Sequence, residues 1–149
     1  MPQSLVKILV HMVWSTKDRV RVITPDIEPQ LFGYIGGIIT NNRGRMIAAG
    51  GDADHIHLLA SIGRIDVSEL IGDIKRDSSS WIKQQDPRFA RFYWQRGYGA
   101  FSIGESQVPR VTQYIRDQKE HHRTQTYQDE FRELCRKYGL AIDERYCWD

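Results

Sequence analysis

Hydrophobic and polar positions follow two periodicities along the chain, and their order predicts its elements. Residues 5–14 are almost continuously apolar and rich in β-branched side chains, which is typical of a buried strand. Apolar residues then recur at helical spacing across residues 27–39, and Thr24 is placed to cap this helix. We expect the helix to end at Asn42 and Gly44.

Two further strands are predicted over residues 45–49 and 54–62. The sequence Gly50-Gly51-Asp52 between them is a turn signal, so we expect a hairpin. A second helix should begin at Asp66, which is followed three residues later by a glutamate in a capping-box pattern. Residues 94–103 are aromatic but interrupted by glycine, and we interpret them as a fourth strand.

Two helices complete the predicted order. The first should be capped by Ser106 and run to about Arg123, and the second should be capped by Thr126 and end at Gly139. The order β-α-β-β-α-β followed by helices predicts one α+β domain over residues 1–149 with a ferredoxin-like sheet. Two helices should pack on one sheet face, and the other face should remain available for function.

The composition is that of an ordinary globular domain. The 149 residues are 40% hydrophobic and 27% charged, and a chain of this length needs no disulfide to fold. Cys135 and Cys147 have no CxxC spacing and no secretory leader precedes them, so we expect reduced thiols and a cytoplasmic protein. No apolar run approaches a membrane span, so we expect no membrane partner.

Charge is informative through its distribution, because the net charge of +2 is small. Residues 75–96 contain six basic side chains against two acidic ones, interleaved with aromatic rings. Lys75 and Arg76 begin this segment. Cations bind phosphates and aromatic rings stack on unpaired bases, so the segment suits single-stranded nucleic acid. A solvated helix face followed by a loop is the alternative interpretation.

His55 and His57 are the first candidates for chemistry. Strand alternation places both on one face, about 6.6 Å apart along the strand, from which they could share a divalent metal ion. An isolated pair of this kind is more often a packing or surface feature. Its position within an apolar run favours the metal, because unpartnered buried imidazoles are costly. His11, in the first predicted strand, is expected to pack or form a hydrogen bond nearby.

Tyr114 is the second candidate. Tyr114, Gln118 and His122 occupy positions i, i+4 and i+8 of a predicted helix and therefore form a polar stripe. A tyrosine on an amphipathic helix is usually a core or rim residue. A phenol can also act as a covalent nucleophile when a divalent ion polarises the phosphate that it attacks.

These features together resemble the HUH single-tyrosine transposases of small prokaryotic insertion sequences, which include the REP-associated tyrosine transposases. Five segments carry the resemblance in this order: residues 11–17, 54–59, 75–81, 94–102 and 114–118. The resemblance implies that Tyr114 is the nucleophile. It also implies that His55, His57 and Gln118 are the ligands of a divalent metal, for which Mg²⁺ and Mn²⁺ are the expected ions.

The same resemblance implies a reaction and an assembly. Single-stranded DNA would be cleaved and rejoined at hairpin-containing ends of the element, through a 5′-phosphotyrosine link. Lys75 and Arg76 would contact the phosphates. The implied assembly is a homodimer in which the tyrosine helix of one subunit completes the site of the other.

Three alternatives remain at this point. A ferredoxin-like module that binds single-stranded nucleic acid without catalysis explains the fold and the basic segment but leaves His55, His57, Tyr114 and Gln118 as coincidence. A metal-dependent phosphohydrolase would use water as its nucleophile and normally add carboxylate ligands. Relaxases and replication initiators of the HUH group are usually larger, so the short chain with one motif tyrosine favours a transposase.

Overall fold

A computed structural model describes residues 2–149, which form four strands and five α-helices. The strands are β1 (Ile8–Ser15), β2 (Arg45–Asp52), β3 (His55–Ile62) and β4 (Gly99–Ile103). The helices are α1 (Glu28–Asn41), α2 (Val67–Lys83), α3 (Val108–Arg116), α4 (Gln118–His121) and α5 (Tyr127–Lys137). No helix in this part of the chain is both long and apolar enough to cross a membrane.

The four strands form one antiparallel sheet in the order β2-β3-β1-β4. This is the ferredoxin-like arrangement, so the predicted α+β fold class is confirmed. β1 and β3 occupy the centre of the sheet, and their register pairs Ser15 with His55 and Val13 with His57. The two predicted metal ligands therefore lie at the end of the central strand pair.

Alternation along the central strands separates two packing layers. Met12, Ile56 and Leu58 face α1 and α2 and belong to the larger hydrophobic core. Leu59 faces the opposite side, where it packs against Ile115 of α3. The expectation that this second face is open is therefore wrong. Helices α3 to α5 cover it because they present apolar stripes of their own, which the sheet buries.

The β2–β3 hairpin turns later than predicted. β2 continues through both glycines to Asp52, and the turn lies at residues 53–54. Gly50 pairs with His57 instead of turning the chain. Glycine is needed at this position because α3 passes close to the backbone of β2. A Cβ atom on Gly50 would lie 2.1 Å from the carbonyl oxygen of Ile115. The glycine allows α3 to lie directly on the strand.

The C-terminal helices differ from the prediction at one point. The helix expected from Ser106 to Arg123 breaks at Asp117, whose φ of −89° and ψ of 12° leave the helical range. Ser106 is not its cap but lies in a 3₁₀ turn before α3. Thr126 caps α5 as predicted, by accepting a hydrogen bond from the backbone of Asp129. The predicted end at Gly139 is also confirmed, with a φ of 69° that favours glycine.

The remaining boundaries follow from local hydrogen bonding. Asp66 caps α2 as predicted, by accepting a hydrogen bond from the backbone of Ser68. Thr24 does not cap α1, which begins only at Glu28; its hydroxyl donates to the Asp26 carboxylate instead. The fourth strand is shorter than residues 94–103, because Trp94 forms only an isolated bridge to Thr16 before the chain reaches β4.

Candidate metal and tyrosine site

His55 and His57 lie at the start of β3, and their side chains face helices α3 to α5. Both imidazoles are fully buried, and their ring centroids are 5.2 Å apart. His55 Nδ1 donates to Asp54 Oδ1 at 2.7 Å, which leaves the Nε2 lone pair of His55 free to bind a ligand. His57 Nδ1 lies 2.8 Å from Nε2 of His11, so His11 forms a hydrogen bond as expected. Each histidine is thereby held by a partner behind it.

The pKa values of His11 and His57 are both lowered. Burial, together with the neighbouring His57, lowers the pKa of His11 to about 3. Burial likewise lowers the pKa of His57, although Glu130 opposes this effect. Both rings are therefore neutral at neutral pH, and neutral imidazole is the form that binds a metal.

Gln118 joins the histidine pair from the far side. It is the first residue of α4 and is 1% exposed. Its Oε1 atom lies 2.9 Å from His55 Nε2, and its amide nitrogen donates to Glu130 Oε2 at 2.8 Å. The structure thus brings the three residues predicted as metal ligands together.

Glu130, which sequence reasoning missed, is the central acceptor of the site. It is 1% exposed, and its Oε1 atom lies 3.0 Å from His57 Nε2 and 3.5 Å from His55 Nε2. Burial by itself would raise the pKa of this carboxyl, but His57, His122 and Tyr114 together hold it well below its usual range. Glu130 is therefore a buried carboxylate anion.

A signal for Glu130 was present in the pattern of α5. Tyr127, Glu130 and Phe131 stand at i, i+3 and i+4 on the stripe that α5 buries against the sheet. A glutamate within an apolar stripe requires a partner in the interior. This signal is easily overlooked, because Asp129 and Glu130 both stand in the first turn of α5, where acidic residues are common in helices.

Tyr114 lies against the histidines of its own chain. Its ring centroid is 5.8 Å from that of His57 and 6.2 Å from that of His11. Its hydroxyl donates a hydrogen bond to Glu130 Oε2. Burial and the Glu130 charge raise the pKa of Tyr114 far above its usual value, so the phenol keeps its proton in this state.

His122 also reaches the site, although the helix that would align it with Tyr114 is broken. Its Nδ1 donates to the carbonyl of Gln125 at 2.7 Å, and its Nε2 faces Glu130 Oε1 at 2.9 Å. Burial lowers the pKa of His122, but the Glu130 contacts raise it on balance. His122 therefore holds the Glu130 carboxylate in place.

The donor set as a whole fits a divalent ion. Ligand atoms of His55, His57, His122 and Glu130 all lie within 4.8 Å of one another. Donors that surround one ion at about 2.1 Å lie roughly 3 Å apart, which is close to the separations of Gln118 from His55 and of Glu130 from His57. Imidazole nitrogens with carboxylate and amide oxygens suit a first-row or alkaline-earth divalent ion.

Comparison with known proteins identifies the family. Residues 4–118 match the family described as Transposase IS200 like. The chain belongs to this transposase family. The predicted membership of the HUH single-tyrosine group is thereby confirmed. The match includes His55, His57, Tyr114 and Gln118, whereas Glu130 lies beyond it.

Two solved structures have the same fold as this transposase. One is a proposed transposase from Deinococcus radiodurans R1, at 21% identity and a TM-score of 0.61, covering 79% of this chain and 98% of that one. The other is a REP-associated tyrosine transposase bound to a REP hairpin, at 14% identity and a TM-score of 0.61, covering 82% of this chain and 73% of that one. Among curated proteins, none matches the chain.

A cavity of about 440 Å³ lies beside the site, and His122 and Asp54 are among the residues that line it. Arg19, Arg21 and Arg123 line it as well, and guanidinium groups match the geometry of phosphate oxygens. Two of these arginines are already paired, Arg21 with Asp52 and Asp54 and Arg123 with Glu120.

Lys75 and Arg76 are not brought to this site. Both lie on α2, on the opposite side of the sheet from the histidines. The Lys75 ammonium donates to the carbonyls of Gln95 at 2.8 Å, Arg96 at 3.0 Å and Gly97 at 2.7 Å, which uses all three of its protons. Burial lowers the pKa of Lys75 to about 8. Arg76 is exposed and paired with acids on its own helix.

Proposed function

We propose that this transposase cleaves and rejoins single-stranded DNA at the ends of an insertion sequence, through a 5′-phosphotyrosine link to Tyr114. The observation that carries the proposal is the position of the Tyr114 hydroxyl. The Tyr114 ring lies beside His57, and its hydroxyl donates a hydrogen bond to a carboxylate that also contacts His57. A phenol in this environment has both a place for a phosphate and an acceptor for its proton.

In the cleavage step, the Tyr114 oxygen attacks the scissile phosphorus. The new O–P bond forms as the bond from phosphorus to the 3′ oxygen breaks, and this oxygen leaves as a hydroxyl after taking a proton from water. Because the raised pKa of Tyr114 keeps the phenol neutral, its proton has to be removed during the attack. Glu130 Oε2 already accepts the hydrogen bond from that proton and is the group placed to receive it.

Rejoining is the reverse of the same step. A 3′-hydroxyl from a second DNA end gives its proton to water and attacks the phosphotyrosine phosphorus, and the bond between phosphorus and the Tyr114 oxygen breaks. The phenol then recovers a proton from Glu130. No nucleotide cofactor is needed, because the energy of the phosphodiester is conserved in the covalent link.

The metal ligands in this proposal are His55, His57 and Gln118, with Glu130 as a further donor. When bound, Mg²⁺ or Mn²⁺ supplies a Lewis acid that polarises the scissile phosphate and neutralises its charge. Mg²⁺ prefers oxygen ligands whereas Mn²⁺ also accepts imidazole, and this donor set contains both. His11 and Asp54 orient the two imidazoles from behind.

The proposed substrate is a hairpin-containing single strand from the end of a mobile element, and the cytoplasm is the expected place of action. The hairpin bound to the REP-associated relative supports this substrate class. The cavity beside the site is lined by Arg19, Arg21 and Arg123, whose guanidinium groups suit a phosphate backbone. Phosphate contacts by Lys75 and Arg76, and a homodimer with sites completed in trans, stay predictions.

The decisive experiment is incubation with a labelled hairpin oligonucleotide carrying a single-stranded tail, in the presence of Mg²⁺ or Mn²⁺. We expect a covalent protein–DNA adduct on a denaturing gel. Tyr114→Phe should give no adduct, while Tyr98→Phe, at an exposed tyrosine away from the site, should retain it. Cleavage without an adduct would indicate water as the nucleophile and a phosphohydrolase.

A further inference from the structure

Tyr93 forms the wall between two neighbouring cavities outside the metal and tyrosine site. Its side chain is 55% exposed. On one side lies a cavity of about 610 Å³, with Val20, Val22 and Phe92 among its walls. On the other side lies a cavity of about 510 Å³ that also contains Trp148. Both volumes fall within the range of roughly 300–1,000 Å³ that small-ligand pockets occupy.

Positive charge surrounds this ring. Lys83 Nζ lies 4.2 Å from the Tyr93 ring centroid, and Lys17 Nζ lies 5.9 Å from it. Arg91 lines the larger cavity. Within residues 2–149 none of these three cations is in an ion pair, whereas Arg88 next to them is paired with Asp26 and Asp86. Two acids oppose them, since Asp18 lines both cavities and Asp149 lines the smaller one. Lys17, Arg91 and Arg96 also line the cavities and Lys83 lies over the ring, so the cations still predominate.

The loop that carries Lys17 is held in an unusual conformation. Asp18 and Arg19 both have a φ of 55°, in the left-handed region that non-glycine residues rarely adopt. Residues held in this region cluster at functional sites. The Lys17 amide donates to the Tyr93 carbonyl at 2.8 Å, so the loop and the ring are fixed to each other.

Neighbouring aromatic rings lie between the metal site and the smaller cavity beside Tyr93. The Tyr127 ring centroid is 4.9 Å from that of His55 and 6.4 Å from that of Trp148, and Trp148 lines the smaller cavity beside Tyr93. The backbone gives a second connection, because Thr16 donates to the carbonyl of Asp54, next to His55. Tyr93 therefore lies at the same end of the sheet as His55, which pairs with Ser15 of β1.

We propose that the Tyr93 surface, formed by Tyr93, Lys17, Lys83 and Arg91, binds an unpaired nucleotide of the DNA strand next to the scissile phosphate. This inference rests on the proposed function, since it takes single-stranded DNA as the substrate. The base stacks on the exposed face of the Tyr93 ring within one of the two cavities, and the cations contact its flanking phosphates. Base pairs in a duplex cannot stack in this way, so the surface selects single strands.

The test compares binding of a fluorescein-labelled 20-nucleotide single strand and its duplex by fluorescence anisotropy. Stacking of a base on an aromatic ring contributes about 1–3 kcal/mol. Tyr93→Ala should therefore weaken single-strand binding about 5- to 150-fold, with less than about twofold change for the duplex. Tyr93→Phe should bind like the wild type. Tyr146→Ala is the matched control, because Tyr146 is 64% exposed and has Arg145 over its ring but lines neither cavity.

A second measurement locates the contact. A single strand containing 5-iodouracil should crosslink to Tyr93 in the wild type on irradiation, and the crosslinked peptide can be identified by mass spectrometry. Unchanged single-strand affinity in Tyr93→Ala, or an equal loss for single strand and duplex, would overturn the proposal. If wild-type protein forms the Tyr114 adduct while Tyr93→Ala binds normally, only the Tyr93 surface is refuted. If wild-type protein binds no single strand at all, the proposed function fails as well.

Discussion

The hydroxyl of Tyr114 donates its hydrogen bond to the buried carboxylate of Glu130, whose other oxygen lies 3.0 Å from His57 Nε2. The proposed nucleophile, its proposed proton acceptor and a proposed metal ligand are therefore linked through one side chain. Three helices and a strand converge on this carboxylate, so its position depends on the whole second layer of the fold. The proposed chemistry depends on this arrangement more than on any single residue.

Glu130→Gln should slow adduct formation about 10²- to 10⁴-fold, the usual contribution of a positioned acid or base. The amide keeps the size of the side chain and can still accept a hydrogen bond from Tyr114, but it cannot take up the phenolic proton. Single-turnover cleavage measured at increasing Mn²⁺ separates two explanations. A defect that persists at saturating metal supports proton transfer, whereas full rescue by metal would reduce Glu130 to a ligand.

His55→Ala and His57→Ala should each abolish cleavage and weaken Mn²⁺ binding measured by titration calorimetry. Gln118→Ala should have a milder effect, because an amide oxygen is the weaker ligand and water can replace it. Both imidazoles are fully buried, so circular dichroism is needed to show that each variant is folded. Unchanged metal binding in the folded histidine variants would remove the metal assignment.

The sequence predicted the central part of this site because periodicity reports local geometry well. Strand alternation placed His55 and His57 on one face. Helical spacing placed Tyr114 and Gln118 on one side, and the structure keeps them together although the helix breaks between them at Asp117. The pattern of α5 indicates that Glu130 is buried, but its partners lie on other elements, and the pattern does not say which residues they are.

Glycines and long cationic side chains were harder to interpret. Gly50 and Gly51 form a turn signal in sequence, but the need for α3 to approach β2 overrides it. Lys75 stands in a basic segment that suits phosphate, yet its ammonium is occupied by three backbone carbonyls. In both cases the role of the residue depends on contacts with residues that are distant in sequence. The local sequence pattern cannot predict such contacts.

Lys75→Met should lower stability by about 1–3 kcal/mol, because it removes a charged donor from carbonyls that then lack their partner. Chemical denaturation measures this change. The salt dependence of DNA binding should keep the wild-type slope, since an ammonium that is already bound to carbonyls releases no counterion from phosphate. A shallower slope would instead support the sequence-based prediction that Lys75 contacts DNA. Arg76→Ala, at the exposed neighbour, applies the same slope measurement to the second predicted phosphate contact.

Mixing Tyr114→Phe chains with His57→Ala chains tests where the tyrosine acts. In this structure Tyr114 lies beside His57 of the same chain. If each site acts within one chain, every chain in the mixture carries a defective site and no adduct forms. If the tyrosine helix were exchanged in a homodimer, one of the two composite sites would be intact. Recovery of adduct in the mixture would therefore establish sites completed in trans, as the family resemblance implies.

Gly50→Ala should impair catalysis from a position that carries no functional group. The added Cβ would lie 2.1 Å from the Ile115 carbonyl oxygen, and a backbone atom cannot move aside alone, so α3 has to shift. Tyr114 precedes Ile115 and moves with it. A misplacement of roughly 1 Å at a reacting group can cost about 10²-fold in rate. We therefore expect adduct formation to fall by about this factor while single-strand binding is retained.

The matched control is Gly37→Ala, in α1, where a new Cβ meets nothing within 4 Å. This substitution should leave catalysis unchanged and stabilise the protein by about 0.4–1 kcal/mol, because alanine reduces the entropy of the unfolded chain. Both variants are compared by single-turnover adduct formation and thermal unfolding. Wild-type rates in a folded Gly50→Ala protein would show that the contact between α3 and β2 does not position Tyr114. The nucleophile would then have to be placed by its hydrogen bond to Glu130 alone.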